Sequence, residues 1–199
     1  MFVPPLTGSA LAEAPGLHVR CLRTPETPLR ESARRIVRAA LREALAKLLS
    51  APGESLALIS TPGQPIRLAP PWADVGLSVS HEPGLSLLAI NLDGPVGVDL
   101  ARVAAIPADL GTVAGDYLGP NTARALGELP SGQRQYAFAQ AWTRFEARLK
   151  CLALELREWS PELAEQLAAC CVADLVLPAG WVGAVAIPDE RLRNASRNA

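Results

Sequence analysis

Two carboxylates and one lysine have the types and spacing that a phosphate-binding metal site requires. Asp99 lies in the segment GVDL at 97–100, and Glu146 and Lys150 lie in WTRFEARLK at 142–150. Two acids beside an ammonium group could hold a magnesium ion together with the phosphates of a ligand. The structural alternative is that Asp99 ends a buried strand, and that Glu146 and Lys150 form an ordinary helical i, i+4 ion pair.

Helical spacing places Glu146 and Lys150 beside an apolar stripe and not on the solvated face. In a helix expected over 131–156, Arg144 and Arg148 fall opposite that stripe and should be solvated. Glu146 and Lys150 flank the stripe, where a side chain can face a cleft. The stripe consists of Phe138, Trp142, Phe145, Leu149, Ala153 and Leu156.

The composition indicates a folded chain without a large excess of either charge. It has 199 residues, is 49% hydrophobic and carries a formal net charge of −1, which is enough apolar material for one large domain or two small ones. The lack of a basic excess argues against nucleic acid or an anionic membrane surface as partner. The sequence contains no run of eighteen apolar residues, so it does not predict a membrane-spanning helix.

The cysteines and the N-terminus predict a cytoplasmic protein with reduced thiols. The four cysteines lack a C-x-x-C spacing, and two of them are adjacent, which argues against a zinc site and against a disulfide framework. The first sixteen residues lack the basic and continuously apolar regions of a secretory leader. The cysteines are Cys21, Cys151, Cys170 and Cys171.

Alternating strand and helix patterns predict an α+β fold. The expected strands lie near 17–23, 55–60, 76–80, 85–92, 95–100, 170–177 and 181–187. The expected helices lie near 28–50, 107–115, 120–128, 131–156 and 161–169. We therefore expect an N-terminal lobe at 17–103 and a C-terminal lobe at 104–187, with a loose arm at 1–16 and a tail at 188–199.

The helix over 28–50 carries an arginine at the border of its buried face. Arg34 lies at the edge of the apolar stripe, whereas Arg35, Arg38 and Arg42 lie outside it. An arginine at such a border can face a cleft or can extend its apolar stem along the stripe, and position alone leaves both open. The stripe consists of Ile36, Val37, Ala40, Leu41, Ala44 and Leu48.

Four short motifs occur in the order that one enzyme family shows. They are GQP at 63–65, LSVSHEPG at 77–84, GVDL at 97–100 and W-x-x-x-E-A-x-x-K at 142–150, preceded by an arginine-rich helix. Together they resemble the 4′-phosphopantetheinyl transferase superfamily in its larger single-chain type, that of the surfactin-synthetase-activating and enterobactin enzymes. The resemblance covers about residues 30–190.

The resemblance implies an activity and a set of site residues. The activity is transfer of the phosphopantetheine arm of coenzyme A to a serine of an apo acyl or peptidyl carrier protein, releasing 3′,5′-ADP. Asp99 and Glu146 would bind Mg²⁺ that holds the pyrophosphate of coenzyme A, and Lys150 would contact the same phosphates. Ser80 and His81 would also contact coenzyme A, and Glu146 is the candidate base for the acceptor serine.

Two more coenzyme A contacts are implied. Gln64 takes the middle position of the G-x-P turn, where the family often has Lys or Arg, and its amide can still bond to adenine or phosphate. Arg34 is assigned to the 3′-phosphate, with Arg35 and Arg38 as neighbours that could replace it. His18 matches no motif and is expected to be structural.

Two positions depart from the family pattern. Ala101 stands where many members have a second acid, so magnesium should bind more weakly without coenzyme A. Phe145 replaces a usual lysine, and because it belongs to the apolar stripe it should pack. One alternative is therefore a coenzyme A-binding protein with weak or lost transfer. Another is an unrelated α+β domain, in which the Asp99 and Glu146 carboxylates would lie more than about 10 Å apart, beyond a shared cation.

The resemblance also implies a fold and a partner surface. It implies two similar lobes related by a pseudo-twofold axis, each a long helix packed on a small antiparallel sheet, with coenzyme A between them. The enzyme is expected to be a monomer. The acidic carrier protein is expected to meet Arg102, Arg124 and the apolar region at Tyr117 and Leu118.

Overall fold

The computed structural model describes residues 6–7, 11, 14–27, 30–61, 64–105 and 110–189. Its strands are Leu6–Thr7 (β1), Leu17–Arg23 (β2), Leu58–Ile59 (β3), Arg67–Leu68 (β4), Gly76–Glu82 (β5), Leu85–Asn91 (β6), Gly97–Arg102 (β7), Cys170–Leu175 (β8) and Trp181–Pro188 (β9). Its helices are Arg30–Leu48 (α1), Gly111–Val113 (α2), Pro120–Glu128 (α3), Ser131–Cys151 (α4) and Pro161–Ala168 (α5). A π-helical turn at Ala114–Leu118 continues α2. Within these ranges, none of the helices has the length and apolar character needed to cross a membrane. The predicted α+β class is confirmed.

In the described residues, seven strands form two antiparallel sheets. One has the order β2, β6, β5, and the other has the order β1, β8, β9, β7. The strand β7 thus pairs with β9 of the range 104–187, although its own residues belong to the range 17–103. The division into lobes and their pseudo-twofold relation stay predictions.

The two sheets pack face to face, and α1 covers the outer face of the three-stranded sheet. Because successive residues of a strand face opposite sides, Leu87 of β6 packs between the sheets with Val98 of β7. The next residue, Leu88, packs with Leu41 of α1. All four side chains are fully buried.

The helix α4 covers the outer face of the four-stranded sheet. Ala147 of α4 packs with Ala184 of β9, and small side chains on both elements let the helix lie close to the strands. The closest approach is at Gly97 of β7, where an added Cβ would overlap the Ala147 carbonyl oxygen and lie 2.5 Å from the Cys151 amide nitrogen. Only glycine therefore allows β7 to lie at this depth against the helix.

The helix α4 ends earlier than the apolar spacing predicts. It ends at Cys151, because Ala153 takes a left-handed conformation with φ of 53°. The Leu154 N–H then donates to the Leu149 carbonyl at 2.9 Å, which closes the helix as a C-terminal cap. Leu156 is 51% exposed, so the expectation that Ala153 and Leu156 extend the buried stripe is wrong.

Replacing Gly97 with alanine should destabilise the protein strongly, because the new methyl group meets helix backbone that cannot rotate away. We expect Gly97→Ala to lower the free energy of unfolding by about 3 kcal/mol, measured by urea denaturation. Gly132, in the first turn of the same helix, has open space around its Cα, so Gly132→Ala should instead stabilise by about 0.5 kcal/mol. Equal effects of the two substitutions would contradict the close approach.

Candidate active site

Two serines of β5 tie the edge of one sheet to the edge of the other. Ser78 Oγ accepts a hydrogen bond from the Val98 N–H at 3.0 Å. Ser80 Oγ donates a hydrogen bond to Asp99 Oδ1 at 2.9 Å. Both serines are buried, and because they are two residues apart they lie on the same side of the strand. The S-x-S spacing therefore fixes β5 beside β7 and orients the Asp99 carboxylate.

The Asp99 carboxylate is the centre of the polar contacts in this region. It is buried, and Lys150 Nζ donates a hydrogen bond to its Oδ1 at 2.6 Å. The same ammonium nitrogen lies 4.0 Å from Glu146 Oε2. The short contact of Lys150 thus joins α4 to β7, and the i, i+4 pair with Glu146 is the longer of the two. The ordinary helical ion pair does not describe this lysine.

The two carboxylates are close enough to share a ligand. The separation of Asp99 Oδ1 and Glu146 Oε2 cannot exceed the sum of their distances to Lys150 Nζ, 2.6 Å and 4.0 Å. That limit lies well inside the separation of about 10 Å expected for an unrelated domain with chance motif matches. The geometry thus favours one shared site over that alternative.

Glu146 is the carboxylate of the pair with the less favourable electrostatic environment. Burial and the nearby negative charge of Asp99 raise the pKa of Glu146, and the positive charge of Lys150 opposes this only in part. A second positive charge near both acids would therefore favour the ionised form of Glu146.

A cavity of about 470 Å³ opens onto these side chains between β5, β7 and α4. His81 lies in its wall, with Nδ1 3.0 Å from Ser86 Oγ, and Ser86 Oγ lies 3.2 Å from Thr24 Oγ1. These contacts fix the imidazole ring at the end of β5. The cavity is lined by Val79, Ser80, His81, Glu82, Asp99, Leu100, Ala101, Arg102, Trp142, Glu146 and Lys150.

Gln64 borders a neighbouring cavity of about 280 Å³ that Lys150 also lines. Lys150 therefore stands between the space beside Gln64 and the space beside Asp99. Gly63, the first residue of the GQP motif, lies outside the described residues. The structure thus brings together Ser80, His81 and the two acids, with Gln64 on the other side of the lysine.

Arg34 is not among the side chains that line either cavity. It is exposed on α1 and borders a separate surface depression with Arg35, Arg38 and Arg42. Arg38 Nη2 donates a hydrogen bond to Ser60 Oγ at 2.9 Å, which directs this arginine toward the segment that precedes Gln64. The assignment of Arg34 to a 3′-phosphate stays a prediction.

The two departures from the motif pattern are both packed positions. Phe145 is buried against Leu149 and Leu163, which confirms that it packs. Ala101 borders the larger cavity but is also buried against Ala139 and Val182.

The donors present fit a magnesium ion that is shared with a phosphate ligand. Asp99 and Glu146 offer carboxylate oxygens, which magnesium prefers, and this ion commonly keeps its other positions for water and phosphate. Among the described residues, no group of three or more His, Cys, Asp or Glu side chains could hold a metal ion. Ala101 therefore adds no further carboxylate beside Asp99 and Glu146.

Other predictions have mixed outcomes. Arg144 is exposed as expected and pairs with Asp174 of β8 at 2.7 Å, but Arg148 is half-buried, so its prediction as a solvated residue is wrong. Burial and the charge of Arg20 lower the pKa of His18, and its structural role stays a prediction.

Of the residues expected to meet a carrier protein, Arg102 lines the larger cavity and pairs with Glu26 at 2.7 Å, with its guanidinium over the Trp181 ring. Arg124 is exposed, and Tyr117 and Leu118 are half-buried. Their docking role stays a prediction.

Two residues at this site were missed by the sequence reasoning. Ser78 was part of a quoted motif but had no assigned role, and the alternation of two serines in a buried strand was the available signal. Trp142 was assigned to the apolar stripe alone, yet it lines the cavity and stacks on Phe138 with ring centroids 5.8 Å apart. Its place at the start of W-x-x-x-E was the signal, because residues at i and i+4 share a helix face.

Comparison with known proteins finds a partial match. No protein-family model matches the chain. Over 90 residues it is 36% identical to the 4′-phosphopantetheinyl transferase HetI of Nostoc sp. strain PCC 7120. The chain is similar to a phosphopantetheinyl transferase. The match covers 44% of this chain and 37% of the relative, so it spans little more than a third of that protein's length.

Removing the Lys150 charge should destabilise the protein, because it leaves the buried Asp99 carboxylate beside Glu146 without compensation. We expect Lys150→Met to lower the free energy of unfolding by about 2 kcal/mol at neutral pH. The control is Lys47→Met, which removes an exposed i, i+4 contact with Glu43 and should change stability little. Similar losses in urea denaturation would refute a central role of Lys150.

The raised pKa of Glu146 predicts a pH-dependent stability. The native carboxyl holds its proton at pH values where the unfolded chain, with a pKa of about 4.3, has lost it. Stability therefore falls as the pH rises through this interval. The free energy of unfolding of Glu146→Gln should exceed that of the wild type by a margin that grows as the pH rises through that interval and then levels off. Glu158→Gln, at an exposed position, is the control, and an advantage of Glu146→Gln that is constant with pH would contradict the assignment.

Proposed function

We propose that this protein transfers the 4′-phosphopantetheine arm of coenzyme A to a serine of an apo acyl or peptidyl carrier protein, with Mg²⁺ as cofactor and 3′,5′-ADP as product. The observation that carries the proposal is the meeting of Asp99, Glu146 and Lys150 from two separate motifs at one cavity. The partial similarity to HetI supports the same activity. The proposal includes a monomeric enzyme of the larger single-chain type that acts in the cytoplasm.

In this proposal the two acids hold the metal. Asp99 and Glu146 would supply two oxygen ligands, and Ser80 would hold the Asp99 carboxylate in position through the hydrogen bond to Oδ1. The magnesium ion would supply positive charge to the pyrophosphate of coenzyme A and to the leaving phosphate. Glu146, whose pKa is raised, is also the candidate acceptor of the serine proton.

Lys150 has a different role with and without substrate. In the structure its ammonium compensates Asp99 at 2.6 Å. Because it also borders the cavity beside Gln64, a small rotation of its flexible stem could bring the charge to a phosphate there. His81 and Gln64 would then contact the substrate from either side of the lysine.

The decisive test is mass spectrometry of apo carrier proteins incubated with the protein and coenzyme A. We expect the carrier to gain the phosphopantetheine mass only when magnesium is present. Glu146→Gln should lower the rate at least about 100-fold, because it removes both a metal ligand and a candidate base. Glu158→Gln, at an exposed position outside the cavity, should retain the wild-type rate.

A second candidate function is coenzyme A binding with weak or lost transfer. It is favoured by Ala101, which is buried against Ala139 and Val182 and supplies no third carboxylate. This function would give thermal stabilisation by coenzyme A without modification of any of several carrier proteins. If coenzyme A does not stabilise the protein and no carrier protein is modified, both candidate functions are ruled out.

A further inference from the structure

Two cysteine thiols lie together at the C-terminal end of α4. Cys151, the last residue of α4, and Cys170, the first residue of β8, belong to one buried cluster, and both are reduced thiols. Their side chains are joined by a hydrogen bond. Residues 19 positions apart in the sequence thus bring two thiols into one buried cluster.

A guanidinium lies beside this thiol pair. Arg148 is three residues before Cys151 on α4, and its positive charge acts on Cys170. Among the described residues, Arg148 Nε is buried without a hydrogen-bond partner. A negative charge on the Cys170 sulfur would compensate this guanidinium, and a neighbouring arginine favours the thiolate form of a cysteine.

The environment separates Cys170 from a merely buried cysteine. The hydrogen bond from Cys151 and the charge of Arg148 lower the pKa of Cys170 in spite of its burial. Burial raises the pKa of Cys21 to about 11, so that thiol stays protonated and unreactive. Cys21 can therefore serve as an unreactive control for Cys170.

A small reagent can approach the pair from the side of Cys151. Cys151 lines a cavity of about 700 Å³, together with Lys150 and Pro188. Cys171, the neighbour of Cys170, packs against the cluster between the two sheets, because adjacent residues of a strand face opposite sides. Cys151 is therefore the partner that geometry offers to Cys170.

We propose that Cys151 and Cys170 are a peroxide-sensitive dithiol that is oxidised to an intramolecular disulfide. The Cys170 thiolate attacks one oxygen of hydrogen peroxide and becomes a sulfenic acid, while the O–O bond breaks and the other oxygen leaves as hydroxide, which takes up a proton to give water. The Cys151 thiol then loses its proton and attacks the Cys170 sulfur, forming the S–S bond and releasing a second water. Both sulfurs are oxidised, and both peroxide oxygens are reduced.

The test is peptide mapping of the reduced full chain after treatment with hydrogen peroxide and alkylation of the remaining thiols. We expect the loss of two alkylatable thiols and a peptide pair linked through Cys151 and Cys170, which a thiol reductant reverses. The link should form unchanged in Cys21→Ser and Cys171→Ser. It should be lost in Cys151→Ala, where a sulfenic-acid-specific reagent should label Cys170 instead.

Two further measurements protect this test from a folding defect. Circular dichroism of each reduced variant establishes that it folds, and Arg148→Met, which keeps most of the apolar stem, should slow formation of the link several-fold. Four alkylatable thiols after peroxide, a link between Cys170 and Cys171, or an unchanged rate in folded Arg148→Met would overturn the proposal. None of these readouts depends on carrier modification, so they are separate from the test of the proposed function.

Discussion

The contact between the backbone of β7 and the backbone of α4 determines where the charged side chains of this protein can meet. At Gly97 the strand lies so close to the helix that no side chain fits between them. Two residues later Asp99 faces the same side of the strand, so its carboxylate arrives beside the turn of α4 that carries Glu146 and Lys150. A larger residue at Gly97 would push the strand away from α4 and lengthen the 2.6 Å contact of Asp99 with Lys150.

The charges of the protein's own side chains are not balanced at this meeting point. Two carboxylates face one ammonium, and the cost falls on Glu146, whose pKa is raised by burial and by Asp99. Asp99 is better compensated, because Ser80 and Lys150 both donate to its Oδ1. An arrangement that is unfavourable alone and is relieved by a cation is expected of a binding site, since ligand binding then releases the repulsion.

Local sequence patterns predicted the regular elements and failed where distant packing decides. The periods of apolar residues located α4 and β7. The C-terminal end of α4 at Cys151, however, depends on the left-handed conformation of Ala153, and no glycine or proline in the sequence marks this position. The two-residue strands β1 and β4 are too short to show a period, and β3 at Leu58–Ile59 is only part of the strand expected near 55–60. That Asp99 meets Glu146 came from the order of the motifs, because no local pattern specifies which strand lies under which helix face. The half-burial of Arg148 likewise depends on β8, from a later part of the chain.

The departures at Ala101 and Phe145 take on a physical meaning from their neighbours. Phe145 packs between α4 and α5 with Leu163, so a lysine there would have to leave an apolar cluster to reach a ligand. Ala101 lies against Ala139 of α4, and a longer acidic side chain would have to turn into the cavity that Ala101 borders. Both changes replace charge with packing on the flanks of α4, while Asp99, Glu146 and Lys150 still border the cavity. If the protein is a transferase, the metal ligand absent at Ala101 must come from water or from the pyrophosphate itself. Metal binding and coenzyme A binding should then depend on each other more strongly than in a site with three acids.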